Sequence, residues 1–215
     1  MSSPSRPLPW RDAAAPTTDP VRQPRDPAAM LEQTLEQWGG KEDLWIFGYG
    51  SLIWRPDFLF RERRGALLHG WHRALKMWSA VNRGTPECRG LVFGLLTGGS
   101  CRGMVFRVPG EQGRQTLTEL WKREMVTGVY DPRWLPLRTA QGPVRALAFT
   151  LSRHSPNHTG ELSDAQYRAI FATATGRFGT TRDYAHATYA SLREMGIEDK
   201  ALARILRLSQ TDPSG

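Results

Sequence analysis

This chain is short of the residues that usually announce a scaffold or a bound cofactor. Cysteine occurs only twice in 215 residues, at Cys88 and Cys101, and not in a Cys-x-x-Cys arrangement. That excludes a disulfide framework, and with His69, His72, His154, His158 and His186 scattered along the chain no metal site is legible. Lysine is scarce too, with 4 lysines against 25 arginines. The formal net charge of +8 and the eight tryptophans would suit a nucleic-acid surface. The basic residues are spread out, however, apart from Arg61-Glu62-Arg63-Arg64, and dispersed charge does not build a phosphate-binding stripe. Long apolar runs are missing as well. None is long enough to span a bilayer, and the first residues lack the apolar core of a secretory signal. Neither nucleic acid nor membrane is therefore an expected partner, and the cytoplasm is the expected location.

What is present begins with Trp45-Ile46-Phe47-Gly48-Tyr49-Gly50-Ser51-Leu52-Ile53-Trp54, an apolar run that stops at two glycines flanking a tyrosine and then resumes. The pattern predicts a buried strand ending in a tight turn. Without Cβ atoms, Gly48 and Gly50 have access to positive φ and leave peptide N–H groups open to an anionic or carbonyl-bearing ligand. A dinucleotide fingerprint would need a third glycine where Ile53 stands, and a P-loop would need a Lys-Ser/Thr pair that does not follow. Nor is Ser51 a nucleophile elbow, because Tyr49 and Ile53 occupy the positions where glycines belong. Ser51 is thus expected to bind or to turn.

A second signal lies in the middle of the chain. Residues 115–125 read as a helix with Leu117, Leu120, Trp121 and Met125 on its apolar side. At 3.6 residues per turn Glu124 falls on that same face, while Glu119, Lys122 and Arg123 point elsewhere. A carboxylate facing a core must be paired, hydrogen-bonded or protonated, and burial raises its pKa toward the range a general base requires. Periodicity alone leaves open an internal salt bridge to one of the arginines.

Around these signals the chain divides into three parts. Residues 1–25 are rich in Pro, Ser, Ala and Arg and poor in large aliphatics, so a disordered tail is expected. Residues 26–43 hold a short helix and a connector, with Asp26-Pro27 as cap and first residue, Met30, Leu31, Leu35 and Trp38 on one side, and Gly39-Gly40 as the stop. Residues 44–215 form the main domain. Strands are predicted at 45–49, within 66–78, and at 91–96, 102–108, 134–138 and 144–151. Helices are predicted at 165–175, 182–195 and 200–208. Many short strands with few helices argue for an α+β fold built on a small barrel.

Two segments carry a resemblance. Phe47-Gly48-Tyr49-Gly50-Ser51-Leu52-Ile53-Trp54 and Leu120-Trp121-Lys122-Arg123-Glu124-Met125-Val126-Thr127-Gly128 resemble the two signatures of the ChaC-type, glutathione-specific γ-glutamylcyclotransferases of bacterial type. Gly179-Thr180-Thr181-Arg182-Asp183-Tyr184 resembles the family segment that leads to a tyrosine on a late helix, and Gly70-Trp71-His72-Arg73 and Arg83-Gly84-Thr85 also fit. The resemblance runs from residue 45 to residue 206. One departure is Arg89-Gly90-Leu91, where many members carry Pro-Gly-Arg.

The resemblance implies a small mixed β-barrel of the γ-glutamylcyclotransferase-like type with an inserted catalytic helix and C-terminal helices. It further implies cleavage of glutathione to 5-oxoproline and Cys-Gly, without cofactor or metal. In that chemistry Glu124 is the general base and acid, and the turn residues Tyr49, Gly50, Ser51 and Leu52 bind the substrate. Tyr184 enters as a phenol that hydrogen-bonds the γ-glutamyl group, although a core-packing tyrosine suits the same pattern. Related possibilities are a cyclotransferase for other γ-glutamyl peptides or amines, and a non-enzymatic binding module of the same fold.

Overall fold

A computed structural model describes residues 25–126 and 128–210 of the chain. The five long strands are β1 (Leu44–Gly48), β2 (Glu62–Ser79), β3 (Gly90–Val108), β4 (Asp131–Thr139) and β5 (Gly142–Thr150). They close a barrel in the order β1-β3-β2-β4-β5. The pairs are antiparallel except for β1 and β5, which run parallel and meet at Ile46 and Leu147, so the barrel is mixed as expected. Helix α1 (Pro27–Trp38) precedes the barrel and α2 (Gly110–Glu124) is inserted between β3 and β4. After β5 come α3 (Asp164–Thr173), the small hairpin β6 (Thr175–Gly176) and β7 (Gly179–Thr180), α4 (Thr181–Glu194) and α5 (Lys200–Arg207).

β1 reads as a solid apolar run because both of its faces are covered. Phe47 joins a core shared with α3, α4 and α5, while Leu44 and Ile46 join one shared with α1 and α2. β5 alternates in the same way, with Ala146 and Ala148 on one side and Leu147 and Phe149 on the other. Within α2, Leu117, Leu120, Trp121 and Met125 are buried as the periodicity required. Each aliphatic burial contributes about 1.5–3 kcal/mol, well above helix-propensity differences of about 0.7 kcal/mol or less, so packing decides where α2 sits.

α1 forms as its caps dictate: Asp26 accepts from the N–H groups of Ala28 and Ala29, and Gly39 closes the helix at φ 77° with its N–H on Leu35 O. Several boundaries differ from expectation by a few residues, and two departures are larger. α2 starts at Gly110 rather than at 115, because the Asp43 carboxylate accepts from Gly110 N at 2.9 Å and Gly113 lies so close under Trp38 that a Cβ there would meet the ring at 2.2 Å. The strands foreseen at 91–96 and 102–108 are one strand, β3, paired with β2 along its length apart from register shifts between His69 and Trp71 and between Ala74 and Met77. The glycine-rich stretch between them is a register shift between His69 and Trp71 in a continuing ladder, and His72 is tied across it to Gly98 O.

The tail expected over 1–25 lies outside the described residues except for Arg25, which is held rather than loose: its guanidinium reaches Asp131 and the Tyr130 carbonyl. Among the described residues, no helix is long and apolar enough to cross a membrane.

Candidate active site

The glycine turn follows β1 directly, as a short 3-10 turn at Ser51–Ile53. Gly50 N, Ser51 N and Leu52 N donate to no protein acceptor among the described residues, whereas the N–H groups of Ile53, Trp54 and Arg55 close back on Gly50 and Ser51. The expectation of open N–H groups is met, but not through positive φ. Gly50 has φ −128° and Gly48 is not in the left-handed region either. Glycine is required for space: a Cβ on Gly50 would lie 3.0 Å from the Tyr184 hydroxyl, and one on Gly48 3.0 Å from Leu52 Cβ. The turn is clamped from behind by Arg73, which donates to the carbonyls of Tyr49 and Arg102 and pairs with Asp199, the N-cap of α5.

Glu124 closes α2 and is 17% exposed, while Glu119 and Lys122 lie in solvent, as the helical period placed them. Arg123 departs from that expectation. Its guanidinium folds back over the turn, donating to Ser51 Oγ at 2.9 Å, to Arg55 O and to Asp57, and its Nε lies 3.1 Å from Glu124 Oε1. Ser51 is thus the acceptor that ties the end of α2 to the turn. The ion pair and the perturbed acid left open by the sequence coexist: burial pushes the Glu124 pKa above the ordinary 4.5, and Arg123 opposes this only in part.

That balance has a measurable consequence. A carboxyl whose folded-state pKa is raised favours the fold in its protonated form, so its contribution is present below the unfolded value near 4.5 and is lost as pH rises through the folded one. Glu124→Gln, neutral at every pH, is expected to gain melting temperature relative to the wild type over the range in which pH rises above 4.5. Thermal melts of both proteins across that range check this, and a constant offset would show that the carboxylate carries no desolvation cost.

Three buried phenols surround the acid. Tyr49 donates to Phe149 O at 2.7 Å and Tyr130 to Phe93 O at 3.2 Å, while the Tyr184 hydroxyl accepts from Phe93 N at 3.4 Å. Each feels the charge of Glu124. Burial lifts Tyr49 and Tyr130 well above the usual phenol range and pushes Tyr184 up to about 12, so all three stay protonated near neutrality. Tyr184 has its hydroxyl proton unused among the described residues, unlike Tyr49 and Tyr130. Leu52 brings only its backbone to this cluster, its side chain being part of the core.

Two members were missed by the sequence reading. Tyr130 lies two residues beyond the segment that carries the resemblance, in a stretch with no periodicity to place it. Arg83 belongs to a fitting motif but had no role: it lies over the Tyr184 ring at 4.8 Å, donates to Phe178 O, and pairs with no carboxylate among the described residues. Its neighbour Gly84 is needed for close approach, since a Cβ there would fall 2.1 Å from Gly90 N. Leu91, at the departure from the family pattern, is buried in the core, with its N–H donating to Thr181 Oγ1.

Shape alone does not mark this cluster. Surface cavities of about 300 Å³ beside Asp57, Phe58 and Arg123, and of about 720 Å³ beside Trp45, Trp134 and Arg145, are lined by neither Glu124 nor the three tyrosines. The coincidence of a perturbed acid with unused donors carries more chemical content than either concavity. No group of three or more His, Cys, Asp or Glu side chains among the described residues is arranged to hold a metal ion.

Comparison with known proteins agrees on one family. Residues 44–211 match the family described as ChaC-like protein. The glutathione-specific γ-glutamylcyclotransferase of Escherichia coli K12 is 36% identical over 180 residues, covering 83% of this chain and 78% of that one. The human glutathione-specific γ-glutamylcyclotransferase 1 is 30% identical over 203 residues, covering 91% and 90%. In three dimensions a glutathione-specific γ-glutamyl cyclotransferase from yeast superposes with a TM-score of 0.72 at 19% identity, covering 79% of this chain and 96% of that one. The fold, the sequence match and the length covered converge: the chain belongs to the ChaC-like family.

Proposed function

We propose that this protein is a γ-glutamylcyclotransferase that cleaves glutathione into 5-oxoproline and Cys-Gly at the cluster around Glu124. The observation that carries the reading is a largely buried carboxyl of raised pKa, tied through Arg123 to the glycine turn with its unused N–H groups and electrostatically coupled to Tyr184 with its free hydroxyl proton. Attack requires a neutral α-amine. Glu124 takes a proton from the substrate ammonium, the amine nitrogen bonds to the γ-carbonyl carbon, and the resulting oxyanion is met by preorganised donors. Glu124 returns its proton to the departing amine as the C–N bond to cysteine breaks, and it then takes the second proton of the ring nitrogen, which leaves as the ammonium proton of Cys-Gly. Because ring closure is intramolecular, the remaining task is to hold the chain folded in attack geometry.

The turn residues Tyr49, Gly50, Ser51 and Leu52 supply backbone to the γ-glutamyl end, and Tyr184 hydrogen-bonds the same group. Arg83, a largely buried cation with no carboxylate partner among the described residues, is suited to a substrate carboxylate. Activity on other γ-glutamyl peptides is the second reading, favoured by Leu91, which puts a core side chain where many relatives carry an arginine. Release of 5-oxoproline from glutathione and from γ-Glu-Ala, assayed side by side, decides between them. A preference for glutathione is expected. Equal rates would support the broader substrate class, and no product from either would leave only a binding module.

A further inference from the structure

The segment just ahead of α1 precedes residues 44–211, which match the family model, yet it grips the connection between the two halves of the cluster. Glu124 ends α2 and Tyr130 stands immediately before β4, so the placement of one relative to the other depends on the few residues between them. Arg25 reaches across a separation of 105 residues to donate to the Tyr130 carbonyl at 2.9 Å. The same guanidinium pairs with Asp131 Oδ1 at 2.5 Å and has a longer contact with Val129 O at 3.5 Å. Gly128 packs directly beneath it, so that a Cβ on Gly128 would lie 3.2 Å from Arg25 Cβ. The α2 side is held too: Trp121 Nε1 donates to Pro27 O at 2.7 Å, two residues after Arg25. Asp131, the anchor of the pair, is fixed in turn by Thr150 Oγ1, which donates to its carbonyl at 2.9 Å.

We infer that Arg25 is a positioning residue for the reaction, a latch that sets the Tyr130 phenol and the end of α2 in register around the reacting atoms. It touches no reacting group itself. Its guanidinium donates to both a carboxylate and a carbonyl that are adjacent in one bend, a geometry suited to a planar fork of donors. A displacement of about 1 Å in such a constellation costs on the order of 10²-fold in rate, so loosening the latch is expected to act on turnover.

This inference rests on Glu124 and Tyr130 belonging to the reaction centre, and the experiment separates the two. Glutathione turnover is measured for the full chain, Arg25→Met, Arg25→Lys, a chain beginning at Arg25, and Glu124→Gln, with circular dichroism melts of each. Arg25→Met keeps the aliphatic stem and removes the donors; it is expected to fold, to lose roughly tenfold or more in kcat, and to keep KM within about threefold. Arg25→Lys should recover part of the loss, and the chain beginning at Arg25 should match the full chain. A folded Arg25→Met with undiminished kcat overturns the latch, as does a loss confined to KM or an equal loss in the chain beginning at Arg25. A fully active Glu124→Gln instead overturns the reaction centre on which the latch depends. If Arg25→Met does not fold, Asp131→Asn is judged by the same kcat and KM.

Discussion

Glu124→Gln is expected to yield a folded protein that still binds glutathione and turns it over about 10² to 10⁴-fold more slowly. The amide fills nearly the same volume, and its oxygen still accepts from Arg123, so the tie from α2 to Ser51 and Asp57 persists. What is lost is the basic site. Wild-type Glu124 is raised by burial, which brings its proton affinity closer to that of the amine it serves, and an amide offers no comparable base. The loss should fall on kcat, with calorimetric binding of glutathione within a few fold of wild type. Near-normal turnover by the folded mutant would remove Glu124 from the mechanism and leave its ion pair with Arg123 as its only role.

The second large effect is expected from Gly50→Ala. Since Gly50 has φ −128°, the penalty is not a left-handed backbone. It arises from the new methyl group, 3.0 Å from the Tyr184 hydroxyl and 3.6 Å from Phe93, which must displace the phenol or stand over the unused N–H groups. Either outcome displaces or covers a donor of the proposed oxyanion site, and kcat/KM is expected to fall on the order of 10²-fold. Ser51→Ala should cost less than about tenfold, because Arg123 keeps Asp57 and Arg55 O as acceptors and the peptide donors stay in place. The double mutant Gly50→Ala, Tyr184→Phe tests the cause. Losing the hydroxyl relieves the contact, so the combined effect should be smaller than the product of the single ones. A fully multiplicative result, or an inactive Ser51→Ala beside an active Gly50→Ala, would place the chemistry elsewhere.

The features legible in the sequence were those encoded within a few residues. Gly48 and Gly50 after an apolar run, and Glu124 on the face of Leu117 and Trp121 at a period of 3.6, are local patterns that need no knowledge of the fold. The α1 caps were legible for the same reason. What escaped depends on contacts between distant parts of the chain. Nothing near Gly110 shows that Asp43 will cap it, and nothing in the glycine-rich stretch after Leu96 shows that β2 will keep its strand running. Tyr130 joins the cluster through the Phe93 carbonyl and Arg83 through the Tyr184 ring, both contacts between distant parts of the chain, and the φ of Gly50 could not be told from its identity when glycine serves space as readily as conformation.

Phe93 has a consequence for divergence within the family. Its carbonyl takes the proton of Tyr130 and its N–H is received by Tyr184, so two phenols from different parts of the chain are indexed to one residue. Both grips use main-chain atoms, which every residue except proline supplies in full. The spacing of the two phenols is therefore insulated from turnover of the surrounding core side chains. Proline is the one substitution at residue 93 that would remove a grip outright, since it alone lacks the N–H that Tyr184 receives.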